Sequence, residues 1–132
     1  MKTIPSKMAA VLAFAIGGMA VFAGIQVLLG NDPGYYVINW LPIYNYTAGV
    51  LTVFITAILI WTGHRLAMPA AIMTISLHAA VMVILQTAYQ DVVAPDSIRA
   101  MTVRLVVWAV ILGLLFVQRR TIKVVPQNPP NR

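Results

Sequence analysis

Two ionisable side chains stand out in this sequence because they interrupt long apolar stretches. His78 and Arg104 both lie inside such stretches, where an ionisable group costs free energy unless it has a partner. Three amide side chains, Gln26, Asn45 and Gln86, also lie within or beside apolar sequence. Arginine, histidine and amide groups donate hydrogen bonds to carbonyl and anionic oxygens. We therefore predict that these five residues bind a ligand such as a quinone or a lipid headgroup.

Each of these residues also has a purely structural interpretation. The long side chain of Arg104 could reach outward to lipid headgroups, or to Asp91 or Asp96. His78 could be a neutral imidazole bonded to a threonine or to a backbone carbonyl. Amides inside membranes most often form hydrogen bonds between helices. The sequence leaves the binding and the structural interpretations open.

The other residues that could carry chemistry exclude several kinds of site. The sequence has no cysteine, which excludes a disulfide framework, a thiol nucleophile and a Cys-ligated zinc. Its two histidines, His64 and His78, are far apart, and no carboxylate lies inside an apolar stretch, so we predict no metal site. No nucleophile beside a base and no glycine-rich phosphate loop is evident, so we do not expect an enzyme. A haem would require that His78 be shared with a partner chain.

The composition places the chain in a membrane. Apolar residues make up 61% of its 132 residues and charged residues 9%, whereas soluble domains average about 45–50% and about 25%. A chain this short cannot bury so much apolar surface within itself. A membrane-spanning helix needs about 20 apolar residues, and four stretches are long enough: about 8–29, 43–61, 68–88 and 98–117. We predict an all-α integral membrane four-helix bundle, one domain over residues 1–120, followed by a proline-rich tail over residues 121–132.

Glycine and proline mark the ends of the predicted helices. Gly30 and Gly63 are placed to cap the first and second helices, because glycine tolerates the left-handed conformation of a helix C-cap. Pro42 and Pro69 stand near the starts of the second and third helices, where a missing N–H costs nothing. The link between these two helices is very short, so we expect them to be antiparallel neighbours.

Basic residues predict the orientation of the helices. Lys and Arg concentrate at the cytoplasmic ends of membrane helices. Both termini and the short link hold seven of the nine basic residues, and all three Asp and all five Tyr residues fall at the opposite ends. We therefore predict that both termini and the tail are cytoplasmic, that His64 and Arg65 act only as topology signals, and that the tyrosines form an interfacial belt. The seven basic residues are Lys2, Lys7, Arg65, Arg119, Arg120, Lys123 and Arg132.

The net charge of +6 follows from this asymmetry. We interpret it as an orientation signal and as a contact to anionic lipid, and we expect no nucleic acid partner. The compact chain and its clear charge bias favour the bacterial inner (plasma) membrane.

Small residues recur along one face of the first helix. Ala13, Gly17, Ala20 and Gly24 share that face, and small residues allow helix backbones to approach closely in a membrane. We predict that this face packs against another helix, either within the chain or in another subunit. Polar residues of the second and third helices are expected to face one another, with a polar outer half of the bundle and an apolar inner half.

A short pattern in the central third of the chain resembles a known family. Pro42, Asn45 and Gly49 open the second span, and a tight basic hairpin, Gly63-His64-Arg65-x-Ala67-x-Pro69, follows it. This pattern resembles small bacterial four-span proteins of the DoxX-like kind. The resemblance implies a four-helix bundle and, in some members, association with quinone-linked oxidoreductases.

These features lead to three hypotheses on function. The first is a small non-catalytic accessory or scaffold subunit of a larger membrane complex, because the chain has little mass outside its apolar spans. The second is a quinone- or lipid-binding module of a membrane redox system, with an outer-leaflet pocket around His78 and Arg104. The third is a transporter or channel for a small solute. The expected partners are other membrane subunits or further copies of this chain, together with lipid.

Overall fold

The computed structural model describes residues 4–124, with the side chains of residues 4–120. This part of the chain is all-helical and contains no strand, which confirms the predicted all-α class. The tail predicted beyond residue 120 lies outside the described residues, except that the last helix continues to residue 124. The four helices are α1 (Ile4–Leu28), α2 (Leu41–Trp61), α3 (Ala67–Thr87) and α4 (Pro95–Val124).

All four helices are long and apolar enough to cross a membrane. Their spanning segments have 21 to 26 residues and a mean hydropathy of 1.8 to 2.4, and 21 residues at about 1.5 Å each match a hydrocarbon layer of about 30 Å. The chain is therefore a multi-pass membrane protein. Each helix begins one to four residues before its predicted span, because apolar character does not mark the first turn, where proline and polar residues are tolerated.

Glycine ends the first two helices, as predicted. Gly30 and Gly63 have φ angles of +94° and +67°, which other residues rarely adopt. At the first cap, the N–H of Asn31 bonds to the carbonyl of Gln26 over 3.0 Å. The second cap repeats this pattern with a bond of 2.9 Å from His64 to Leu59. Both caps satisfy carbonyls that the helix leaves without an internal partner.

The helices pack in chain order around the bundle. α1 lies against α2 and α4, and α4 also packs on α3. α2 and α3 are antiparallel neighbours, and their closest backbone contacts involve the second half of α2, residues 52–61. We call the end at which α1 and α3 begin the basic end. The opposite end, which carries the connections 29–40 and 88–94, is the loop end.

The closest helix contact joins α1 and α2 through glycine. A Cβ added to Gly49 would lie 2.7 Å from the backbone oxygen of Gly17 and 2.8 Å from the backbone nitrogen of Val21. One added to Gly24 would lie 2.7 Å from the backbone of Pro42 and Tyr46. The four small residues of α1 are buried in this region. The helix that packs on this face is therefore α2 of the same chain.

A π-helical turn interrupts α2 beside this contact. It covers Thr52–Thr56, and the Thr52 hydroxyl donates a 2.7 Å hydrogen bond to the carbonyl of Ala48. Thr52 also lies against Gly17 of α1. An extra residue in a helical turn rotates the helix on either side of it. The half of α2 that carries Asn45 is therefore rotated about the helix axis relative to the half near the basic end.

The core consists of two apolar clusters, and the one near the basic end includes small residues of α1. Near the basic end, Ala9, Ala10 and Ala13 pack with Ile60 and Trp108. Near the loop end, Ile38 and Leu41 pack with residues of α3 and α4. Large side chains lie outside, where lipid covers them at no cost; they include Phe22, Phe54, Met73 and Phe116.

Candidate functional site

Arg104 lies at a core position of α4. The buried residues of this helix repeat every three or four positions, and Arg104 falls within that series, with an exposed fraction of 7%. Its guanidinium Nη1 donates a 2.5 Å hydrogen bond to Oδ1 of Asn45 on α2. The helix thus carries the charge into the bundle interior rather than toward the lipid. The other buried residues of the series are Ser97, Met101, Trp108, Ile111 and Leu115.

No carboxylate accompanies this buried charge. All the acids of the chain, Asp32, Asp91 and Asp96, lie outside the spanning cores, in the connections or in the first turn of α4. Within residues 4–120 the single ion pair joins Asp96 to Arg99 on the surface. Arg104 therefore bonds to an amide instead of reaching outward to Asp91 or Asp96. A buried cation without a counter-charge is costly in a membrane protein.

A small cavity adjoins the guanidinium. Its volume is about 50 Å³, which is room for about one or two water molecules. Arg104, Asn45, Tyr35 and Ser97 supply its polar lining. Tyr35 reaches this cavity from the connection between α1 and α2. The cavity thus combines one cation with hydroxyl and amide groups from three parts of the chain.

His78 lies beside this site and is almost fully buried, with an exposed fraction of 3%. Its Nδ1 shares a hydrogen bond with the hydroxyl of Tyr44 on α2. Its ring packs against Trp108 with the ring centres 6.4 Å apart. The partner of His78 is therefore a tyrosine rather than a threonine or a carbonyl. Trp108 stands one turn from Arg104 on α4, and Tyr44 precedes Asn45 on α2, so the His78 contacts lie next to the Arg104–Asn45 pair.

Aromatic side chains continue this contact toward the loop end. Trp40 donates a 3.0 Å hydrogen bond to the hydroxyl of Tyr89 and packs edge-on against Tyr44. These contacts join α2 to α3 in the half of the bundle where their backbones lie farther apart. Tyr44 and Tyr89 thus contribute to the interior, in addition to the interfacial belt that their position near the helix ends predicts.

The structure brings together three of the five predicted ligand-binding residues. Arg104 and Asn45 line the cavity, and His78 lies beside them. Gln86 is exposed on α3, because it follows the fully buried Leu85 and points about 100° away from the core face. Gln26 is half-buried, and its side chain bonds to that of Asn31 at the end of α1.

Tyr35 and Tyr44 belong to the site but are absent from the predicted set. Their positions in the sequence are also those of an interfacial belt, so the sequence does not distinguish belt residues from residues of the site. A signal for Tyr44 does exist. It stands one turn from Leu41 and one turn from Ala48, which are both buried, and so shares the core face of α2.

We expect Tyr44→Phe to destabilise the bundle by about 1–3 kcal/mol, because it leaves a nitrogen of the buried His78 without its partner. Tyr46→Phe is the matched control, since Tyr46 is on the same helix and 39% exposed. Thermal unfolding in detergent measures both. Equal stability of the two variants would contradict a contribution of the Tyr44–His78 bond.

Comparison of the chain with protein-family models, curated proteins and solved structures finds no match. Four apolar helices fit a small four-span membrane protein, and no family match supports the DoxX-like assignment.

Proposed function

We propose that this protein is a non-catalytic membrane protein that binds the carboxylate end of an acidic amphiphile at Arg104. One observation carries the proposal: a buried guanidinium borders a cavity, and its hydrogen-bond partner is an amide, not an acid. A carboxylate bound there would supply the missing counter-charge. Asn45, Tyr35 and Ser97 would contribute further hydrogen bonds around it.

The charge of Arg104 favours an anionic ligand over a quinone. A quinone carbonyl is neutral, so it accepts a hydrogen bond and leaves the buried charge uncompensated. The planar guanidinium matches the two oxygens of a carboxylate. A cavity of about 50 Å³ also suits a carboxylate better than a quinone ring or a phosphodiester. Of the two ligands considered for this pocket, a lipid with an acidic group is therefore favoured over a quinone.

The cavity wall offers a route for an acyl chain. Ala23 of α1 and Ala100 of α4 line the cavity and are also exposed on the outside of the bundle. Their small side chains leave space between the two helices. An amphiphile with its carboxylate at Arg104 would pass its tail between these alanines into the lipid.

Thermal unfolding of the detergent-purified protein tests this proposal with three probes: decanoate, decanol and decylubiquinone. Decanoate and decanol have the same tail length and differ in charge. We expect decanoate to raise the stability, by about 2.7 kcal/mol at 100 times its Kd, and decanol to have little effect. Equal stabilisation by decanol would contradict the proposal, and stabilisation by decylubiquinone alone would replace the carboxylate with a quinone.

A second proposal, compatible with the first, is that the protein acts as an accessory subunit of a membrane complex. The described connections, residues 29–40, 62–66 and 88–94, leave little mass outside the membrane for an independent activity. The apolar core near the basic end offers little support for a solute path. Extraction in mild detergent should yield an assembly with other polypeptides, and a lone 14.4 kDa species would count against it.

A further inference from the structure

A cleft at the basic end is separate from the Arg104 site. Its volume is about 580 Å³, and it lies where α1 and α3 begin and α2 and α4 end. His64, Arg65 and Arg119 contribute its cationic and polar groups. Met68, Ile72 and Leu115 contribute apolar walls. The cleft therefore combines two arginines with an apolar interior.

The apolar walls continue the cleft along the helix axes. Ile72 lies one turn beyond Met68 on α3, and Leu115 lies one turn before Arg119 on α4, a depth of about 6 Å at 1.5 Å per residue. A group that fills the cleft would meet arginine at one end and hydrocarbon at the other. This change from a cationic to an apolar lining matches the headgroup and first methylene groups of a lipid.

The positive charge of the cleft has no acidic neighbour among its lining residues. The three acids of the chain lie in the loop-end connections and at the start of α4, at the opposite end of the bundle. The charge complement of the cleft must therefore come from outside the chain. The tail sequence, residues 121–132, is also without an acidic side chain and is a poor electrostatic match.

Hydrogen bonds hold the floor of the cleft in place. The Ser6 hydroxyl donates to the carbonyl of Ile60 over 2.8 Å, and Oε1 of Gln118 accepts from the Ser6 N–H over 2.7 Å. These bonds join the start of α1 to the ends of α2 and α4. The cleft is thus built on a hydrogen-bonded framework that does not involve the two arginine side chains.

We propose that this cleft binds an anionic phospholipid, with its phosphate between Arg65 and Arg119 and its acyl chains against Met68, Ile72 and Leu115. Clusters of basic groups between membrane helices favour anionic headgroups, and arginine suits phosphate geometry. The proposal gives Arg65 a role beyond that of a topology signal. It is independent of the carboxylate proposed at Arg104, which lies near the loop end.

Native mass spectrometry of the full chain in neutral detergent tests the site. Dioleoyl-phosphatidylglycerol and dioleoyl-phosphatidylcholine serve as probes, one anionic and one zwitterionic. We expect the wild type to bind phosphatidylglycerol about tenfold more tightly, and R65Q/R119Q to lose this preference. R65K/R119K keeps both charges and should retain most of it.

The double variant R99Q/R120Q is the charge-matched control. Arg120 is at the basic end but outside the cleft lining, and Arg99 is near the loop end. Equal loss in R99Q/R120Q and R65Q/R119Q would overturn the proposal, as would equal binding of the two lipids by the wild type. Displacement of the lipid by equimolar inorganic phosphate would show an anion site and overturn the assignment to a lipid. The R104M variant should keep the phosphatidylglycerol preference.

Discussion

Gly49→Ala is expected to destabilise the bundle at the upper end of the range of about 1–3 kcal/mol that overpacking costs. The added methyl group would lie 2.7 Å from the Gly17 oxygen and 2.8 Å from the Val21 nitrogen. Both are backbone atoms, which cannot move aside as a side chain can. To relieve this clash, α1 and α2 must move apart. This movement would also displace Asn45, which lies one turn from Gly49 on α2.

Gly18→Ala is the matched control for this effect. Gly18 lies in α1 beside Gly17, and a Cβ added there meets no atom within 4 Å. Alanine also favours helix over glycine, so this variant should be as stable as the wild type or slightly more stable. Thermal unfolding in detergent measures both variants. A Gly49→Ala protein as stable as Gly18→Ala would contradict the close contact of α1 and α2.

The double variant R104M/N45L is expected to abolish stabilisation by decanoate without loss of stability in the unliganded protein. It removes the buried guanidinium together with its amide partner, so no unsatisfied polar group remains in the interior. Replacement of a buried polar pair by apolar residues of similar size is often neutral or stabilising. Truncating one partner of a buried charged pair typically costs about 2–5 kcal/mol of binding free energy, so the loss of affinity should exceed tenfold.

This variant separates binding from a structural role. If Arg104 and Asn45 serve only to join α4 to α2, decanoate should stabilise the variant as much as the wild type. If they bind an anion, the unliganded variant should keep its stability and only the ligand effect should disappear. Thermal unfolding with and without decanoate measures both the stability of the unliganded variant and its response to the ligand. Decanol is the neutral control.

The spans could be predicted from the sequence because hydropathy reports them directly. The glycine caps at Gly30 and Gly63 were also predictable, since glycine is favoured where φ is positive. The partner of the small-residue face was not, because packing within the chain and packing between subunits require the same pattern. In the structure, α2 packs on this face of α1 at Gly49. The separation of Gly17 and Gly49 along the chain does not reveal this contact.

The candidate site was predictable only in part. His78, Arg104 and Asn45 stand out as polar residues within apolar sequence, whereas Tyr35 and Tyr44 match an interfacial belt equally well. Gln86 has the same chemistry as Asn45 but occupies an exposed helical position. The cleft at the basic end depends on residues of three segments that meet only in the folded chain. The membrane side that this end faces remains a prediction from charge.

Native mass spectrometry of the particle purified in mild detergent, with an absorption spectrum of the same sample, identifies the ligand that Arg104 binds. We expect one carboxylate amphiphile per chain, distinct in mass from any phospholipid in the basic-end cleft, retained by R65Q/R119Q and lost by R104M/N45L. An absorbing quinone or haem in its place would contradict the proposed ligand. A wild-type particle without a carboxylate amphiphile, or the same carboxylate amphiphile in R104M/N45L, would contradict binding at Arg104.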